Sequence, residues 1–142
     1  MRKLVHDRDD SGFTLIELLV VIIIIGILSA IAIPVYLRQR QKAFEASLKS
    51  DLKTVANEME SYQTDDFGYP MALNGVVLTP QSAAIGDETA KLSIDNNVLV
   101  TFNAAGSGYC LKAYNNKAGS DWYYISTLGG LMARGTTACG SF

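Results

Sequence analysis

The sequence predicts an α+β fold: one long N-terminal helix packed on a small antiparallel sheet. Three observations predict it. From Phe13 to Ile33 the only charged residue is Glu17. Beyond Pro34, the residues Phe44, Leu48, Leu52, Val55, Met59 and Tyr62 recur at spacings of 4, 4, 3, 4 and 3, one apolar stripe at the helical period. After "TDDFGYP" the chain changes to short β-type runs separated by Gly, Asn, Ser and Asp.

A chain of 142 residues suits one small domain. Its net charge of −2 is nearly balanced, without the basic face that nucleic acid requires. Residues 34–142 carry nine Lys/Arg against ten Asp/Glu.

The elements follow in order. Residues 1–12, "MRKLVHDRDDSG", form a short polar leader. Residues 13–34 form the apolar segment, which as a helix would span roughly 30 Å, the thickness of a bilayer core. Three readings fit the residues alone. The segment could be a secretory signal, with Ala30-Ile31-Ala32 imitating a cleavage site; the run exceeds the typical h-region of about 7–15 residues. It could be a plain membrane anchor, which leaves Glu17 unexplained. It could also be the start of a mature chain cut just before it. The leader carries three Lys/Arg and the far flank carries Arg38, Arg40 and Lys42, so the charge rule does not orient the segment.

The helix is expected over Thr14–Gln63, about 75 Å if unbroken. Its 35–63 half is amphipathic, with Lys42, Glu45, Lys49, Lys53, Asn57 and Glu60 off the stripe. Pro34 should disturb it and Gly26 should soften it. The helix should end where Asp66, Gly68 and Pro70 supply turn chemistry. Residues 64–142 then form the sheet region. Strands are expected at Val76–Leu78, Asn97–Phe102, Tyr109–Tyr114, Trp122–Thr127 and Leu131–Ala133, with "NNKAGSD" as a hairpin turn. The sheet should bury one face, against the helix stripe.

Two cysteines, Cys110 and Cys139, suggest one disulfide formed outside the cytoplasm, which puts the N-terminus inside. The one histidine, His6, lies in the leader. A chain cut after the leader would have none, which excludes Ser-His and Cys-His nucleophile pairs and His-ligated metals. Neither a phosphate loop nor a nucleophile elbow is present in 13–142. The chain therefore reads as a non-enzyme without a cofactor. The acidic pairs Asp65-Asp66 and Asp87-Glu88, and Asp95, lack the spacing of a calcium loop.

At "GFTLIELLVV" the sequence resembles the N-terminus of a type IV prepilin: Gly12, then Phe13, then Glu17, then the long apolar run. The match covers Ser11 to about Pro34, with a weaker helical continuation to Tyr69-Pro70. The short leader and Phe13 resemble the type IVa pattern. The Ile-rich run and "ASLKSDLKTVANEMESY" look similar to pilins of Gram-positive, actinobacterial type.

The resemblance implies the type IV pilin fold and a sequence of events. A membrane prepilin peptidase would cut between Gly12 and Phe13 on the cytoplasmic side and N-methylate Phe13. The subunit would wait in the cytoplasmic membrane with its sheet outside. Pilus assembly machinery driven by an ATPase would then stack it into a homo-oligomeric helical filament on the surface, serving adhesion, motility or DNA uptake. Glu17 would neutralise the new Phe13 amino group of a neighbour. The stretch from Gly26 to Pro34 would lose helical bonds in the filament. Cys110 and Cys139 would bound an exposed C-terminal loop. "YQTDDFGYP" also resembles the helix exit of major pseudopilins, which keeps a type II secretion pseudopilus as the alternative. A membrane-anchored binding module is the remaining reading.

Overall fold

The computed structural model describes residues 12–66, 68–136, 138–140 and 142. Gly12 apart, the leader lies outside the described residues, and His6 with it. The chain divides into two compact units, Met1–Leu37 and Arg38–Phe142.

Helix α1 spans Leu15–Asp66, 52 residues, and contains Pro34 within it. It is also assigned through Gly26. Its start lies one residue after the expected Thr14, which caps it instead. Its end lies at Asp66, beyond the expected Gln63, with no basic residue in the last turn. The actual stop is Gly68-Tyr69-Pro70, where Pro70 disfavours helix for Tyr69 and opens a short 3-10 turn at Met71–Leu73.

In the first unit every large apolar side chain from Phe13 to Leu37 is exposed, from 41% at Val35 to 83% at Phe13. This part of α1 is long and apolar enough to cross a membrane.

In the second unit the expected stripe is buried where it matters. Leu48, Leu52, Val55 and Met59 are all fully buried. They pack in one core with Val98, Val100, Leu111, Ala113 and Trp122. The strands are β1 Val77–Leu78, β2 Ala84–Ile85, β3 Glu88–Thr89, β4 Asn97–Phe102, β5 Tyr109–Tyr114, β6 Trp122–Ile125 and β7 Gly130–Leu131. An antiparallel sheet has the order β1-β4-β5-β6-β7, and β2-β3 form a separate hairpin. In β4, Val98, Val100 and Phe102 are buried and alternate with half-buried Asn97, Leu99 and Thr101, a period-2 strand with one inward face.

Four expectations are corrected. Strand β6 stops at Ile125, because Ser126–Leu128 turns into a 3-10 element closed by Gly129 in the left-handed region. Strand β7 is Gly130–Leu131 rather than Leu131–Ala133. Part of the sheet's second face is also buried, at β5 and β6: Cys110, Tyr123 and Ile125 form a second small core with Met132, Cys139 and Phe142. Finally, two residues expected on the polar side of α1 are wholly or partly covered. Glu45 is buried and held by Arg134 at 3.1 Å. Lys49 is half-buried, with its Nζ 3.7 Å above the Trp122 ring.

Polar ties fix the helix to the sheet. Asp51, 3% exposed, accepts from Ser93 N at 2.9 Å, Ser93 Oγ at 3.0 Å and Asn96 Nδ2 at 2.7 Å. A buried carboxylate without a cation is tolerable when its lone pairs are filled in this way. Glu60 accepts from Tyr109 Oη at 2.8 Å and from Tyr69 Oη at 3.2 Å. Burial, reinforced by Glu60, pushes both phenols above the usual tyrosine range.

Candidate functional site

The residues singled out for processing and assembly gather at the start of α1. Gly12, Phe13 and Thr14 precede the helix and are exposed. A Cβ at Gly12 would meet nothing within 4 Å. Packing among the described residues therefore gives no reason for glycine there. A requirement for it would come from whatever handles the peptide bond that follows.

Glu17 is engaged within its own chain. Its Oε2 accepts from Thr14 N at 2.9 Å and from Thr14 Oγ1 at 2.6 Å. Glu17 N in turn donates to Thr14 Oγ1 at 3.3 Å. With Leu15 as the first helical residue, Thr14 is the N-cap and Glu17 the third position, which makes this a capping box. The carboxylate also sits at the positive end of the helix dipole. The partner charge that resemblance implies for Glu17 leaves this cap out. The signal was present in "TLIE", a Thr-x-x-Glu string directly before an apolar run.

Gly26 and Pro34 both lie inside helix in this structure, and a Cβ at Gly26 would meet nothing within 4 Å. They are eight residues apart in sequence, and no contact brings them together with Gly12, Phe13 or Glu17.

Cys110 and Cys139 form a disulfide in the second unit, with Cα atoms 5.9 Å apart. Cys110 is fully buried in β5 and Cys139 half-buried. The loop they close is fastened a second time by the Arg134–Glu45 pair, to which Ser120 Oγ also donates at 3.3 Å. Among the described residues no group of three or more metal-ligating side chains could hold an ion.

Residues 7–33 match the prokaryotic N-terminal methylation motif. Over 69 residues the chain is 39% identical to type II secretion system core protein G of Pseudomonas aeruginosa, a match covering 49% of each protein. It thus spans about half the length of that relative, and the same holds for core protein G of Aeromonas hydrophila. It is 35% identical over 87 residues to the type IV major pilin protein PilA of Myxococcus xanthus, covering 55% of this chain and 40% of that one. Against the type IV wide pilus major component PilA4 of Thermus thermophilus it is 31% identical over 134 residues, 94% of this chain and 95% of that one. A motif at the first unit and a similarity that continues through the second have one common source: the chain belongs to the type IV pilin family.

Proposed function

We propose that this chain is a structural subunit of a type IV pilus, a non-enzyme that acts by polymerising. The observation that supports this most is agreement over whole length with a wide-pilus component, 94% of one chain against 95% of the other. A helix exposed on all sides over Leu15–Leu37 supports it physically, since that surface requires lipid or other copies to cover it.

In this reading a prepilin peptidase hydrolyses the Gly12–Phe13 bond and N-methylates Phe13. The subunit is held in the cytoplasmic membrane, N-terminus inside, until ATPase-driven machinery adds it to a surface filament. Cleavage creates an ammonium group on Phe13 that the precursor lacks. Glu17 of one subunit then neutralises Phe13 of a neighbour, and does so by giving up some of its hydrogen bonds to Thr14. In low dielectric an unpaired charge is costly, so the exchange selects register more than it adds stability. Within the filament, the Gly26–Pro34 stretch releases helical bonds; continuous helix there in a filament map would refute that part.

Glu17→Ala and Glu17→Val test the assembly role. Mass spectrometry should still find N-methyl-Phe13 in the membrane pool, while sheared filaments disappear. Normal filaments from either variant would overturn it.

A second reading is a pseudopilin of a type II secretion system, favoured by the 39% identity to core protein G over about half of the chain. Long sheared filaments rich in this chain support the first reading; secretion loss on deletion, without such filaments, supports the second.

A further inference from the structure

The second unit presents two charged surfaces that cannot satisfy each other within one chain. Arg38 and Lys42 lie four residues apart on one face of α1, and both are exposed. Neither has an acid partner among the described residues. Arg40 points to another side and lies over the Phe44 ring, 5.6 Å from its centre.

The complementary surface is a groove between the last turns of α1 and the β2-β3 hairpin, lined by Glu58, Asp65, Asp87 and Glu88. None of the four has a cation partner among the described residues. The unpaired acids gather in this groove, whereas Lys53 and Lys91, both exposed, also lack an acid partner among the described residues. Glu45, Asp95 and Asp121 are each paired with a cation. Asp51 and Glu60 are filled by hydrogen bonds. The groove is also preformed. Gly86, at φ +61°, brings the hairpin so close that a Cβ there would stand 2.2 Å from Tyr62 Cε2.

Position along the helix excludes self-pairing. From the level of residue 40 to that of Tyr62 is about 33 Å of helix. A second copy, parallel and displaced by that distance, brings its Arg38 and Lys42 level with the groove. Such a head-to-tail contact leaves one surface free at each end and propagates without closing.

We propose that Arg38 and Lys42 of one copy dock in the Glu58/Asp65/Asp87/Glu88 groove of another, fixing an axial offset of about 33 Å between the two. The contact rests on the filament reading above and names the surfaces that mate.

The test uses the full chain in cells that display its filaments. Like charges forced together cost several kcal/mol. Arg38→Glu with Lys42→Glu, or Glu58→Lys with Glu88→Lys, should therefore lower sheared-filament yield about tenfold while the membrane pool stays constant. Combining all four should restore most of the yield, and Arg40→Glu should do less than either pair. Independently, Lys42→Cys with Asp87→Cys should give a ladder of disulfide-linked multimers from assembled filaments. Normal yield from both reversed pairs, or no recovery in the combination together with no ladder, overturns the contact. So does a membrane pool lost in the Arg38→Glu, Lys42→Glu chain with no ladder from the cysteine pair, which assigns those bases to lipid headgroups. A native chain that makes no filaments fails the filament reading itself, whereas filaments that ignore both reversals fail this contact alone.

Discussion

The two units of this chain share one helix and differ in where its side chains are covered. From Phe13 to Leu37 the apolar residues are exposed on all sides. From Leu48 to Met59 the buried residues face their own sheet, and Lys53 and Asn57 face solvent. The Arg38–Phe142 unit therefore carries its own core, whereas the first unit depends on covering supplied from outside the chain. Composition alone decides this. Apolar residues all round a helix fit no aqueous surface, and a narrow stripe fits one sheet.

The largest way to sharpen the contrast is at the junction. Gly12→Glu should abolish cleavage, so that no N-methyl-Phe13 is found by mass spectrometry, while the thermal unfolding of the second unit is unchanged. Mature Phe13 in that variant would break the assignment of Gly12.

Paired truncations come next. Leu52→Ala removes a fully buried side chain and should cost about 2–5 kcal/mol in denaturant unfolding. Ile24→Ala removes a similar volume from an exposed position and should leave that transition in place. Equal effects would show that the first unit is packed within the chain after all.

Reducing the Cys110–Cys139 bond should destabilise the second unit by about 3 kcal/mol. The loss should be seen first in Tyr123 and Ile125, which pack beside it. A transition insensitive to reductant would mean that the second sheet face holds without its staple.

The smallest effect is with pH. Tyr109 and Tyr69 titrate higher in the folded unit than in the unfolded chain, by burial and by Glu60. Their contribution is fully present below the unfolded value of about 10 and is lost as pH rises above it. Unfolding midpoints should hold from neutral pH to about 9.5 and fall beyond. In Tyr109→Phe the fall should be shallower.

Much of this architecture was legible because it rests on local periodicity. The stripe through Met59 and the strands Asn97–Phe102 and Tyr109–Tyr114 repeat at periods that one window of sequence contains. What escaped depends on distant partners. Glu45 reads as a solvated helix residue until Arg134, 89 residues later, covers it. Asp51 is similar, since Ser93 and Asn96 satisfy it from across the fold. The β2-β3 hairpin has strands of two residues each, too short for any alternation to register. At the junction, Gly12, Phe13 and Glu17 are singled out by resemblance alone. The cap on Glu17 was missed although Thr14 stands only three residues before it.

The C-terminal loop has one more consequence. It is tied at Arg134 and at Cys139, and Gly135 and Ala138 between those ties are exposed. Among the described residues of that segment, Gly135, Thr136 and Ala138, none belongs to the helix stripe or to the sheet register. Ala138 can therefore change at little cost to the fold beneath it, whereas Gly135, at φ +99°, disfavours any side chain.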